Sequence, residues 1–170
     1  MVFIHMLAAI KKKVEKQKSN EWEKYIKRFK DFPPDHAFDA FKNEYYYEAV
    51  GVLHGFIESQ LRNLLLAFSS INQKSELSNI WDINERLDFR NLSNVLFVIH
   101  LISKKEYDTL NSLNSLRNEI IHKYFYDPYE NMYFGVSHKK FLSIFKPSYN
   151  LSYDLIEKID KMYEDENNKK

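Results

Sequence analysis

Residues 113–129 read LNSLRNEIIHKYFYDPY, and within them Arg117, Asn118 and His122 stand in a segment otherwise patterned as a leucine- and isoleucine-rich helix. Arginine grips phosphate oxygens through two parallel N–H donors and stays charged at any physiological pH. Histidine, with an ordinary pKa of about 6.5, takes or gives a proton near neutrality. Those are the groups that RNA cleavage without a metal demands: a base for the 2′-hydroxyl and a cation for the charge that builds on phosphorus. In that role His122 handles the proton, Arg117 holds the phosphate and Asn118 orients one of them. A solvated helix end accounts for the same residues differently, because the helix dipole favours a C-terminal histidine and a nearby arginine often caps carbonyls.

On an α-helix Asn118 and His122 lie about 40° apart around the axis, whereas Arg117 and His122 diverge by roughly 140°. Extending the Asn–His face backwards gives Asn111, Asn114 and Ser115, a polar strip short of the Lys and Glu that usually solvate an exposed helix. Such a strip suits a polar cleft or a symmetric interface. With five arginines and six histidines in the chain, an Arg-to-His spacing of five arises by chance about 0.2 times, and requiring Asn directly after Arg lowers this to roughly 0.02. Arg62-Asn63 and Arg90-Asn91 serve as internal controls, since neither is followed by histidine at the same offset.

The elements that must position these residues follow from composition and periodicity. A chain of 170 residues, 44% hydrophobic and 16% aromatic, is long enough to bury a core as one domain without disulfides or metal. Three glycines and four prolines leave little material for a turn-rich β architecture, so the expected class is all-α, an up-and-down bundle of four to six helices. The absence of cysteine excludes disulfides and thiolate metal sites and fits a cytoplasmic location. A net charge of +1 gives no global field for nucleic acid, so any contact with RNA must come from a local patch.

MVFIHMLAAIKKK has too short an apolar run to span a bilayer, and its lysines follow that run where a signal peptide would have them precede it. It is expected as a docking helix, with an interfacial membrane helix as the alternative and no membrane partner otherwise. Residues 11–31 read as an exposed helix that FPPD breaks. From Phe38 to about Ser69, Tyr46, Val50, Leu53, Ile57, Leu61, Leu64 and Phe68 recur at steps of three or four, which predicts one long central helix. A second helical region carries Asp82 and Glu85 at capping-box spacing and buries Leu87, Leu92, Val95, Leu96, Ile99 and Ile102. Ser103 and Glu106 repeat that spacing and launch the helix with Arg117, its Leu110, Leu113, Leu116 and Ile120 facing inward. MYFGVSHKKFLSIFKPSYN is ambiguous between short strands and a short helix, and Ser152 is expected to cap a last helix through Met162. The domain reads as a single unit, 1–170, with an N-terminal extension (1–35), a motif-bearing core (38–126) and a C-terminal loop and helix (127–170).

Other chemistry-bearing residues have plainer explanations. Glu58 and Arg62 are spaced for an i,i+4 ion pair, with Glu58 and Asn114 as candidates to line the same cleft. His54 and His100 on apolar helices are expected as satisfied core histidines, and His54 with Glu58 makes two metal ligands without a third. No cofactor or metal is expected. Most of Tyr45, Tyr46 and Tyr47 is expected in the core, although such rings can stack bases. Lys139 and Lys140 read as a solvated turn.

LRNEIIHKY at a helix end, after a long helix such as YYYEAVGVLHGFIESQLRNLLL, looks like the HEPN superfamily, whose signature is Arg, commonly followed by Asn, Asp or His, with His four to six residues beyond the Arg. RNEIIHKY also resembles the pattern of HepT-type toxins, in which Tyr follows two residues after the His; here that is Tyr124. The resemblance spans about residues 38–126. It implies a helical bundle and a metal-independent endoribonuclease, plausibly the toxin of a toxin–antitoxin or phage-defence pair, leaving a 2′,3′-cyclic phosphate. It implies RNA as substrate and an antitoxin nucleotidyltransferase that adds AMP to Tyr124. A homodimer as the working unit is expected separately, because Arg117 and His122 diverge around one helix and a twofold copy brings both sets into a shared cleft. The alternative is a non-catalytic HEPN module that keeps Arg117 and His122 to bind a nucleotide, RNA or a partner protein.

Overall fold

The computed structural model describes residues 32–72, 77–122, 132–133 and 135–168. The expectations for the N-terminal extension and for Tyr124 lie outside them. The first helix, α1 (Pro33–Lys42), starts on the prolines that were expected to separate helices. Proline's missing N–H falls where a first helical turn has no partner for it, so Pro33 and Pro34 open the helix. The single long helix expected from Phe38 is two helices, because the chain turns at residues 43–45. Glu44 takes φ 64°, its N–H donates to Phe41 O, and Tyr45 N–H donates to Ala40 O at 2.9 Å. This is the left-handed ending usually supplied by glycine. Apolar periodicity runs on through it because Ala37 and Ala40 before the turn and Tyr46, Ala49 and Val50 after it face one core.

The second helix, α2 (Tyr46–Asn72), buries Leu53, Ile57, Leu61, Leu64 and Ala67 completely and touches every other described helix. The next region also divides, into α3 (Leu77–Arg86) and α4 (Phe89–Val98). Asp82 and Glu85 lie inside α3, so their spacing is not a capping box. The cap belongs to Asp88, whose carboxylate accepts from Asn91 N–H at 2.8 Å. His100 terminates α4 at φ 60°, with Leu101 N–H donating to Leu96 O at 2.9 Å. It is therefore exposed at a helix end and not in the core. Arg62 ties α3 to α2: it pairs with Glu58 at 2.9 Å, donates to Leu87 O at 2.7 Å and to Asn84 O, and its own carbonyl accepts from Asn84 Nδ2 at 3.0 Å.

The fifth helix, α5 (Lys104–His122), begins at the reciprocal box its sequence announces: Glu106 N–H donates to Ser103 Oγ at 3.3 Å and Ser103 N–H to Glu106 Oε2 at 2.6 Å. Leu110, Leu113, Leu116 and Ile120 all point into the core. A two-rung antiparallel hairpin, β1 (Met132–Tyr133) with β2 (Val136–Ser137), turns through Gly135 at φ 73°. It leads into α6 (His138–Asn167). The ambiguous segment is thus both hairpin and helix. Ser137 is the cap, accepting from Lys140 N–H at 3.3 Å, and Ser152 lies buried inside the helix with its hydroxyl donating to Tyr149 O at 2.6 Å. A buried serine can satisfy itself on its own helix, which the capping reading of Ser152 overlooked. Lys139 and Lys140 occupy the first turn of α6 instead of a loop. Pro147 is tolerated within α6 on its exposed side.

The architecture is all-α, with six helices among the described residues and none long and apolar enough to cross a membrane. Helix α6 closes the core over α2 and α5, and Lys158 anchors it by donating to Leu101 O at 3.0 Å and pairing with Glu106 at 2.7 Å. Replacing Arg62 by alanine should leave two carbonyls of the α3 end without their donor and lower stability by about 2–3 kcal/mol. A urea unfolding curve measures the loss, and amide exchange should show α3 losing protection before the rest.

Candidate functional site

Where α2 passes α5 the two helices leave a cleft of about 270 Å³. Its α2 wall is Tyr47, Val50, Gly51, His54, Gly55 and Glu58, one face of the helix, and its α5 wall is Arg117, Ile120 and Ile121. Arg117 is exposed, and its Nη1 donates to Asn118 Oδ1 at 3.1 Å; no carboxylate pairs with it among the described residues. Glu58, across the cleft, is already neutralised by Arg62. One cation without a carboxylate partner among the described residues therefore faces a cleft whose lining is mostly apolar, a charge that a single phosphate group complements.

His54 connects the two walls. It is only 8% exposed, stacks on Phe89 with ring centroids 4.1 Å apart, and its Nε2–H donates to Asn114 Oδ1 at 3.2 Å. Burial pushes its pKa below the ordinary histidine value; the bond to Asn114 and the charge of Glu58 pull it up, and the charge of Arg117 pushes it down again. The net result is a neutral imidazole. The expectation of a core histidine holds for its burial, yet the ring also lines the cleft beside Arg117.

The structure brings Arg117, Glu58 and, through His54, Asn114 together. Asn118 is half-buried beside Arg117. His122 closes α5 in the same unbroken helix, so its position is separated from Arg117 by roughly 140° of rotation; its side chain lies outside the described residues. The polar strip does not stay together. Asn114 turns to His54, whereas Asn111 and Ser115 line a second groove with Glu119, Lys140 and Ile144, and Lys140 pairs with Glu119. Of the tyrosine run, only Tyr46 is buried; Tyr45 and Tyr47 are exposed, and Tyr47 reaches the cleft, so the expectation that most of the run is core is corrected.

Two lining residues of α2, Gly51 and Gly55, were not singled out from sequence, and Tyr47 was noted only as one of a run whose rings can stack bases. Their offsets from His54 and Glu58 place all five on one helical face, and that spacing was the available signal. Among the described residues no three His, Asp or Glu side chains gather as a metal site. Compared with family models, curated proteins and solved structures, the chain matches none of them.

A neutral buried histidine makes stability depend on pH. The unfolded chain protonates His54 at about pH 6.5 while the folded chain resists. Its contribution is therefore complete above that pH and is lost as pH falls below it. The urea midpoint of the wild type should drop on acidification below about pH 6.5 more steeply than that of His54→Gln, whose amide keeps a polar contact but does not titrate. Parallel curves for the two proteins would contradict the burial argument.

Proposed function

We propose that the protein is a metal-independent endoribonuclease of the HEPN type, with Arg117 holding the scissile phosphate, Asn118 orienting it and His122 moving the proton. The observation that carries this reading is Arg117, an uncompensated cation lining a cleft at the end of the helix that continues to His122. In the reaction the 2′-hydroxyl loses its proton to imidazole as its oxygen bonds to phosphorus. The bond to the 5′-oxygen breaks, that oxygen takes its proton from the imidazolium just formed, and a 2′,3′-cyclic phosphate remains. Arg117 stabilises the extra negative charge at phosphorus through paired N–H donors.

A homodimer is part of the proposal. Arg117 and the His122 position diverge around α5, so one chain presents them poorly to one phosphate; a second copy related by a twofold axis supplies the complementary pair. The biological setting that accords with this activity is a cytoplasmic toxin held in check by a partner nucleotidyltransferase acting on Tyr124. A binding module using the same side chains is the competing reading, and RNA that is bound but left uncut would favour it.

Purified protein should cut single-stranded RNA in excess EDTA, and His122→Ala should abolish cleavage while leaving the unfolding curve unchanged. Arg117→Ala should reduce the rate by at least about 100-fold. Intact RNA that is nonetheless bound by clean wild-type protein would favour the binding module. Light scattering at micromolar concentration should report about twice the 20.5 kDa chain mass, and a fully active monomer would remove the shared-cleft geometry.

A further inference from the structure

Glycine is scarce here, three in the whole chain, and two of the three sit four residues apart in the middle of α2. Helix interiors disfavour glycine against alanine, because its backbone loses more freedom on folding. A glycine in such a place is ordinarily explained by a neighbour too close for a Cβ. Neither position has one: a Cβ at Gly51 or at Gly55 would meet no atom within 4 Å beyond its local backbone. Both glycines are exposed, and what their missing methyl groups leave open is the α2 wall of the Arg117 cleft.

A second observation points to the same space. His54, between the two glycines and more than nine-tenths buried, has its Nε2 engaged by Asn114 while its Nδ1 has no hydrogen-bond partner among the described residues. Asn84 Oδ1 is the one fully buried side-chain polar atom without a partner among those residues, so Nδ1 of His54 is still reachable, and the space the ring borders is the cleft. With Nε2 carrying the proton, Nδ1 presents a lone pair that accepts from a hydroxyl.

We infer that this cleft is a ribose-phosphate seat, in which one RNA phosphate rests on Arg117, the ribose on its 5′-oxygen side, which is not the attacking one, lies against the bared backbone of Gly51 and Gly55, and the 2′-hydroxyl of that ribose donates to His54 Nδ1. This deepens the nuclease reading and rests on it for the identity of the polymer. Arg117 supplies affinity, the glycines supply room, and His54 supplies the distinction between RNA and DNA, since only RNA has the hydroxyl.

The test uses the full chain carrying His122→Ala, so that bound RNA is not consumed, and a short mixed-sequence single-stranded RNA with the DNA of the same sequence as probes. Gly51→Ala and Gly55→Ala should each raise the melting temperature, by about 2 °C, because alanine is the better helix former. Each should nevertheless weaken RNA binding by about tenfold as the methyl group enters the seat. His54→Gln should narrow the RNA-over-DNA preference without abolishing binding to either. Alanine variants that are stabilised and bind RNA as before would overturn the seat, as would an RNA affinity no higher than that for DNA. Variants that fall to monomers in light scattering would overturn it in favour of a helix contact between copies. Cleavage by the chain with His122 intact judges the nuclease reading separately: binding that depends on the glycines without any cleavage keeps the seat and removes the nuclease.

Discussion

The constraint on which the fold depends is the burial of α2. Ala49, Leu53, Ile57, Leu61 and Leu64 are all inaccessible to solvent along one face of the helix, and the other five described helices share the work of covering it. Each large aliphatic side chain withdrawn from water contributes about 1.5–3 kcal/mol, which is enough to organise the other helices around it. Helix α1 folds back along its start, α5 and α6 enclose its flank, and α3 and α4 lie against it farther along. The one face left open carries Gly51 and Gly55, and there α5 approaches with Arg117 instead of with another leucine. The cleft is the place where coverage of the central helix stops.

Electrostatics at that place are arranged in pairs with one member left over. Arg62 satisfies Glu58 and at the same time holds the chain at Asn84 and Leu87, so its charge is committed to structure. His54 is kept neutral by the same burial that packs it on Phe89. Arg117 remains the source of field in the cleft. A local cation of this kind matters in a chain whose net charge of +1 offers no long-range attraction.

How much of this was legible in the sequence depended on the range of the interaction. Apolar spacing located the buried faces of α2 and α5, and the box at Ser103 and Glu106 was readable because every atom in it lies within four residues. Helix ends without glycine were not readable. Glu44 and His100 adopt the left-handed conformation without being glycine, and the hydrophobic pattern continues across both. Ser152 and Ser137 illustrate the same limit from the other side: identical side chains, one donating to its own helix in the core and one capping the first turn, are distinguished only by their surroundings. The motif Arg117-Asn118 was visible as chemistry, but the partnership of Arg117 with His54, from a helix some sixty residues earlier, is a product of tertiary packing. The split of the polar strip between two grooves has the same origin, since the rotation of α5 against its neighbours is set by the leucines on its opposite face.

The ion pair between Glu119 and Lys140 joins the last turns of α5 to the first turn of α6 across 21 residues of chain. Ser137 caps that first turn and Val136 is buried just before it. A helix terminus frays most easily at its last turn, where local opening requires little free energy. Here the opening of α5 near Arg117 also requires the Glu119–Lys140 contact to α6 to break, so a segment remote in sequence braces the last turns of the helix that lines the cleft.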